Sequence, residues 1–295
     1  MHHKFLMFML LLCHMLFAQA ADENMALTQA QELTSELLMG AATPKLGSSI
    51  ALIYDAQVQR PLYTKNANAV VPIASISKLM TAMVVLDAQL PMDDEIVINR
   101  LDMDTLKGTR SRIRPGMILT RGELLKLALM ASENTAAAAL ARTYPGGMRA
   151  AMLQMNIKAY ELGMRDTHFL DPTGLNRGNV STAQDLVRMV LAAQSYPAIQ
   201  AASTLPSHNV IPVGRGPMRF NNTNPLVRSS SWNIGVSKTG YISEAGRCLV
   251  MQATIKQRQV VIVLLDSWGK STRLGDANRI RKWMESAYER GLRRS

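Results

Sequence analysis

Segments of strand character bracket a helical middle in this 295-residue chain, and that segregation constrains its fold more than any other feature. Ser48 to Tyr54 and Arg60 to Tyr63 read as strands joined through Asp55-Ala56-Gln57, which predicts a hairpin. Toward the other end, Leu249 to Ile255 and Gln259 to Leu265 pair naturally across Lys256-Gln-Arg-Gln, and Gly235 to Ser237 leads to Gly240 ahead of them. From about residue 90 to 225 the spacing is mostly helical. Strands need partners to bury their apolar faces, so the two ends are expected to share one sheet. The expected class is α/β in the α+β sense, an antiparallel sheet built from both chain ends with an inserted, mostly helical region.

Local signals place the helices. Behind Pro72, Ser75 to Leu86 has few breakers and apolar residues at helical spacing, with the proline where a helix entrance tolerates it. Thr120-Arg-Gly-Glu123 matches a capping box ahead of Leu124, Leu125, Leu127 and Leu129. Ala136 to Arg142 predicts a second helix, and Met148 to Leu162, closed by Gly163, a third. Ser181-Thr-Ala-Gln184 caps a fourth that ends before Pro197, and Arg273 to Arg290 closes the chain. The twenty methionines, Met80, Met83 and Met130 among them, serve as core filler.

Residues 1–20 are a different kind of sequence. His2, His3 and Lys4 form a basic head, Phe5 to Phe17 is almost wholly apolar, and Ala18-Gln19-Ala20 offers small residues to a signal peptidase. This predicts an exported protein beginning near Ala21, with a polar segment over 21–44 and one domain over 45–295. The apolar run is short of the roughly 20 residues a membrane span needs. Cys13 follows Leu12, where lipid attachment calls for a small residue, so no lipid anchor is expected.

Cleavage leaves one cysteine, Cys248, hence no intrachain disulfide, and a buried strand thiol is expected there. Only His168 and His208 remain of five histidines, and no HExxH occurs, so no metal or other cofactor is expected. The formal charge of +11 fits an acidic polymer or membrane surface as neighbour and does not require nucleic acid. Gly269-Lys-Ser-Thr272 mimics the end of a phosphate-binding loop, but Leu264 stands where that loop needs its first glycine.

A serine and a lysine three apart on a helix share a face, close enough for the amine to take the hydroxyl proton if burial lowers its pKa. Ser75-Ile-Ser-Lys78 has that spacing, and so does Ser267-Trp-Gly-Lys270. Ser75 opens a helix, where N–H groups and the dipole favour a developing oxyanion, which makes it the better nucleophile candidate. Ser-x-Asn occurs at Ser132-Glu-Asn134, Ser207-His-Asn209 and Ser231-Trp-Asn233, and only the first lies between two clear helices. Lys238-Thr-Gly240 occurs once. Its lysine can hold an anion, its threonine can bond a carboxylate, and its glycine lets a ligand approach the strand.

The order Ser-x-x-Lys, Ser-x-Asn, Lys-Thr-Gly is that of penicillin-binding proteins and serine β-lactamases. With Asp171-Pro-Thr-Gly-Leu175, Ser181-Thr-Ala-Gln-Asp185 and Ser237-Lys-Thr-Gly-Tyr241, residues 45 to 290 resemble the low-molecular-mass D,D-peptidases, in detail the D-alanyl-D-alanine endopeptidases of the penicillin-binding protein 7/8 type. The resemblance implies a transpeptidase-like fold, a periplasmic location and an acyl-serine hydrolase of peptidoglycan. Ser75 would attack, Lys78 would act as base, and Ser132 would relay a proton to the leaving amine. Asn134 would bond the substrate backbone, Lys238 would supply positive potential, and Thr239 would bind a carboxylate or amide. The N–H groups of Ser75 and Tyr241 would form the oxyanion hole, and Gly240 would let the substrate approach the strand.

The implied partners are peptidoglycan peptide stems, with β-lactams as covalent inhibitors. Arg273 falls where related carboxypeptidases carry a substrate-facing arginine. The stretch after Lys238 suffices for a hairpin and a helix, and its basic end, Gly291-Leu-Arg-Arg-Ser295, predicts at most loose membrane association. Asp171 is expected as a turn residue and not as the deacylating glutamate of class A β-lactamases. A D,D-carboxypeptidase and a non-catalytic wall-binding scaffold are the rival readings.

Overall fold

The computed structural model describes residues 42–292. The expected signal segment 1–20, its cleavage point, Cys13 and nearly all of segment 21–44 lie outside the described residues.

Strands β1 (Ser48–Asp55), β2 (Arg60–Lys65), β9 (Asn233–Ile242), β10 (Gly246–Ile255) and β11 (Arg258–Ser267) form one antiparallel sheet in the order β2-β1-β11-β10-β9. The joint between the chain ends is the β1–β11 ladder, where Ile50 faces Leu265 and Leu52 faces Val263. Side-chain alternation sends Ile50, Leu52, Val261, Val263 and Leu265 to one core, and Ala51, Ile53, Val260, Ile262 and Leu264 to another on the opposite face. A sheet covered on both faces explains why β11 reads as an unbroken apolar run instead of an alternating one.

The second face is covered by the closing helix, Thr272–Leu292, through Ala277, Ile280, Trp283 and Met284. That helix is tied to the start of β1 by Asp276, whose carboxylate accepts from Gly47 N at 3.0 Å, Ser48 N at 2.7 Å and Ser48 Oγ at 2.6 Å. At the far end of β1, buried Asp55 meets Arg258 at 2.6 Å.

The first face carries the helical region. Its centre is α1 (Lys78–Asp87), buried at every position from Lys78 to Val85. A helix apolar on all sides belongs inside a core, and each of Leu79, Met80, Met83 and Val84 contributes about 1.5–3 kcal/mol by leaving water. Around it pack α2 (Arg121–Met130), α3 (Asn134–Arg142), α4 (Gly147–Glu161), α5 (Ala183–Gln194) and α6 (Pro197–Thr204). Short pairs interrupt the helices: β3 (Val71–Pro72) with β6 (Val180–Ser181), β4 (Glu95–Val97) with β5 (Ile118–Thr120), and β7 (Ser207–Val210) with β8 (Met218–Asn221).

Several local expectations shift. The first helix starts at Lys78 and not at Ser75, which lies in a 3-10 turn over Ala74–Ser77. Only half of the capping box at Thr120 forms: its hydroxyl accepts from Glu123 N, while the Glu123 carboxylate turns to Lys126 and His208. The fourth helix is capped one residue later than expected, by Thr182 accepting from Asp185 N, because Ser181 is held in β6 and bonded to Thr167. Pro197 opens α6, with its fixed φ and missing N–H suited to a first helical position. Gly163 closes the third helix at φ +74°. Cys248 is fully buried in β10, as expected.

Candidate active site

Three segments converge at the edge strand β9. The first is the turn that carries Ser75. Ala74, just ahead of the serine, has φ +50°, a left-handed conformation costing an L-residue about 1 kcal/mol. Neighbours hold it there: Ser77 Oγ donates to Ala74 O at 2.9 Å, Asn179 Nδ2 donates to Ser77 Oγ at 2.9 Å, and Ile73 N donates to Asn179 O at 3.0 Å. The second is the short link between α2 and α3, where Ser132 has φ +58°. The third is β9 itself, where an alanine Cβ at Gly240 would lie 3.0 Å from Ser75 N. Glycine there lets the serine's backbone press onto the strand.

Lys78 Nζ is the hub, 2.9 Å from Ser75 Oγ, 2.7 Å from Asn134 Oδ1 and 2.5 Å from Thr173 O. A neutral amine has two N–H bonds and one lone pair. The Thr173 carbonyl and the Asn134 amide oxygen can only accept, so they consume both N–H bonds and leave the lone pair for Ser75. Lys78 is fully buried, and burial brings its pKa down to about 7 against the upward pull of Asp171 and Glu133. The same burial pushes the Glu133 carboxyl up, although it accepts from Ser111 Oγ at 2.7 Å.

A second buried lysine completes the cluster. Lys238 Nζ donates to Ser132 Oγ at 2.8 Å and to Thr239 O at 2.8 Å. Burial lowers its pKa well below that of a free lysine, and the like charges of Lys78 and Arg273 act in the same direction. Because Ser132 Oγ accepts from Lys238, its own proton is left to donate elsewhere.

The Lys238–Thr239 bond also fixes the strand's orientation. Thr239 O points out of the sheet toward the site, and N–H and C=O groups two residues apart on a strand point the same way. Tyr241 N–H therefore faces the site too, on the same side as Ser75.

Ser75, Lys78, Ser132, Asn134, Lys238, Thr239, Gly240 and Tyr241 thus come together at the β9 edge of the sheet. Two of these side chains are engaged otherwise than the resemblance implies. Asn134 accepts from Lys78 through Oδ1 and donates to Thr109 Oγ1 at 2.9 Å, which orients the amine and leaves its second Nδ2 hydrogen open. The Thr239 hydroxyl donates to Thr223 Oγ1 at 2.6 Å. Arg273 lies behind the strand, its Nη1 donating to Gly240 O at 2.9 Å and Cys248 O at 3.1 Å.

The other motif copies fall elsewhere. Ser267 is buried at the end of β11 and bonds Ser48 Oγ at 2.7 Å, while Ser207-His-Asn209 is part of β7. Thr272 opens the last helix. His208 Nε2 meets Glu123 Oε2 at 2.6 Å, and His168 is held by backbone pairing with Val180. Among the described residues no group of three or more His, Cys, Asp or Glu could hold a metal. No helix among them is long and apolar enough to cross a membrane.

Sequence reasoning missed the loop that aims the base. Asp171 is the turn residue expected, accepting from Thr173 N at 2.6 Å, Gly174 N at 2.6 Å and Asn176 N at 2.5 Å. That folded turn delivers Thr173 O to Lys78. The Asp-Pro-Thr-Gly string carried a turn signal, but nothing local marked its carbonyl as a partner of Lys78, and nothing marked Asn179 at all. Lys107, in the loop before β5, also forms an ion pair with Glu244 in the β9–β10 turn. That bond holds the Glu244 carboxyl down at about 2.

A serine hydroxyl hydrogen-bonded to a buried lysine beside a sheet edge fits a serine hydrolase that works through an acyl-enzyme. The chain belongs to the S11 family of peptidases, described as D-alanyl-D-alanine carboxypeptidase, whose model matches residues 38–269. It is 47% identical over 245 residues to a D-alanyl-D-alanine endopeptidase of Pseudomonas aeruginosa, covering 82% of this chain and 78% of that one. It is 44% identical over 247 residues to a D-alanyl-D-alanine endopeptidase of Escherichia coli, covering 83% and 80%. Among solved structures, a Streptomyces DD-transpeptidase superposes with a TM-score of 0.77 at 27% identity, over 83% of this chain and all of the other. A D-alanyl-D-alanine carboxypeptidase of Mycobacterium tuberculosis gives 0.75 at 27%, over 83% and 94%.

Proposed function

We propose that this chain is a serine D,D-endopeptidase that hydrolyses D-alanyl peptide cross-links of peptidoglycan. The observation that carries the reading is buried Lys78, whose Nζ lies 2.9 Å from Ser75 Oγ while the Asn134 and Thr173 oxygens can take the two N–H bonds of the neutral amine. Ser75 Oγ attacks the D-alanyl carbonyl as Lys78 takes its proton, and the oxyanion forms between the N–H groups of Ser75 and Tyr241. The C–N bond then breaks. Ser132, held by Lys238, donates its proton to the departing amine and recovers one through the lysines. Water attacks the resulting ester with Lys78 again as base, which frees the carboxylic acid and restores Ser75.

The endopeptidase names of the relatives at 47% and 44% identity support cross-links as substrate over terminal D-alanine. The signal-like residues 1–20 support export to the periplasm, and the charge of +11 supports attraction to wall carboxylates. β-Lactams imitate the D-alanyl bond and are expected to acylate Ser75.

The test is intact-protein mass after incubation with a β-lactam, beside Ser75→Ala, followed by digestion of cross-linked muropeptides. A drug-sized adduct absent from the variant, with dimers cut to monomers, is the expected result. An adduct accompanied only by release of terminal D-alanine makes the chain a carboxypeptidase. No adduct and no cleavage makes it a wall-binding scaffold.

A further inference from the structure

A pocket of about 300 Å³ opens at the end of the sheet, beside the β9–β10 turn, and shares only Tyr241 with the catalytic cluster. Its floor is a row of cross-strand partners, Tyr241 on β9, Arg247 on β10 and Ser267 on β11, which share a face because they pair directly. Asp266, Trp268 and Lys270 form its walls. Two large aromatics stand open to water there, Tyr241 at 56% and Trp268 at 84% exposure. The Arg247 guanidinium lies over the Tyr241 ring, 4.6 Å from its centroid. Stacking fixes the plane of the guanidinium while leaving its N–H fork available for a carboxylate.

The catalytic geometry says which part of a substrate arrives here. Ser132, which protonates the leaving amine, is tied to Lys238, so the leaving group departs toward the Lys238 end of the site. The acyl portion must then run the other way along β9, past Tyr241 toward Ser243. At about 3.3 Å per residue, the two or three residues before the D-alanyl carbonyl reach the pocket. A substrate adding to the free edge of β9 as an extra strand follows that path. In a peptidoglycan stem those residues are a diamino acid and a γ-linked glutamate, both bearing free carboxylates.

Resting on the proposed function, we infer that this pocket is a subsite for the acyl-donor stem. Arg247 and Lys270 hold a free carboxylate of the stem, and Tyr241 and Trp268 cover its aliphatic length. Asp266 adds one negative charge to two positive ones, which leaves the pocket selective for an anionic stem over an amidated one.

The test uses the mature chain carrying Ser75→Ala, so that binding is read without turnover. Calorimetry follows binding of the tripeptide L-alanyl-γ-D-glutamyl-meso-diaminopimelate, of the same peptide with the glutamyl α-carboxylate and the D-centre carboxylate of diaminopimelate amidated, and of the tripeptide joined to its disaccharide. Amidation is expected to weaken binding about tenfold, and Arg247→Gln to weaken the free-acid peptide by a similar factor while barely affecting the amidated one. The disaccharide is expected to add little. Lys270→Gln, on an exposed side chain, gives the same comparison where folding is not in question. Equal binding of free and amidated peptide, or no effect of either substitution, overturns the inference. Tight binding only with the disaccharide present makes the pocket a sugar site and also overturns it. Failure of the intact chain to cut muropeptides would sink the proposed function instead, and the binding comparison would stand apart from it.

Discussion

Gly174 offers a quantitative test of how the Asp171–Gly178 loop supports the nucleophile. Its φ is +81°, and an alanine Cβ there would lie 2.0 Å from Ala74 O and 2.7 Å from Ser75 N. Two costs add. The left-handed backbone costs an alanine about 1 kcal/mol. Relieving the overlap requires Ala74 O to retreat by roughly 1 Å, and overpacking of that kind costs about 1–3 kcal/mol. Gly214 separates the two, since it has φ +69° and nothing within 4 Å of its would-be Cβ. At about 2–4 °C per kcal/mol for a domain of this size, Gly214→Ala should lower Tm by about 2–4 °C and Gly174→Ala by about 4–16 °C. Because the displaced carbonyl precedes Ser75, Gly174→Ala should also slow acylation by a fluorescent penicillin, on the order of 100-fold for a 1 Å misplacement. Gly214→Ala should leave acylation alone. Equal Tm losses in the two variants, with unchanged acylation in both, would refute the contact and the supporting role drawn from it.

Other outcomes follow from the buried charges. The acylation rate should fall about tenfold per pH unit below about 7, because a protonated Lys78 has three N–H bonds and no lone pair for Ser75. A profile flat from pH 5 to 8 would remove Lys78 as the base. Asp55→Asn takes away the carboxylate that faces buried Arg258 and caps the β1–β2 turn through Gln57 N and Val58 N, and should cost about 3–5 kcal/mol in urea unfolding. A loss under 1 kcal/mol would show that the pair does little for the sheet. Burial raises the Cys248 thiol to about 11, so a disulfide reagent at pH 8 should modify it only after unfolding; rapid labelling of the native chain would contradict its place in β10.

Much of the molecule is legible from local signals. The apolar runs of β1, β10 and β11, the proline ahead of Ser75 and the glycine after Leu162 act within a few residues, where backbone sterics and side-chain periodicity decide the outcome. Local context likewise singled out Ser75, behind Pro72 at a helix entrance, from Ser267, and Ser132, between two helices, from its two imitators. What escaped was set by contacts between distant segments. Thr173 O reaches Lys78 across 95 residues, and Asn179 Nδ2 reaches Ser77 Oγ across 102. The strained φ values of Ala74 and Ser132 are invisible locally, since either residue alone would prefer an ordinary conformation.

The sequence by itself determined which groups could do chemistry, because hydroxyl, amine and glycine are properties of residues. The tertiary structure alone decided the direction of the Lys78 lone pair, since only carbonyls brought from Thr173 and Asn134 can occupy its two N–H bonds. It also decided the depth of burial that brings that lysine to about 7, because desolvation depends on everything packed around a charge and on none of it singly.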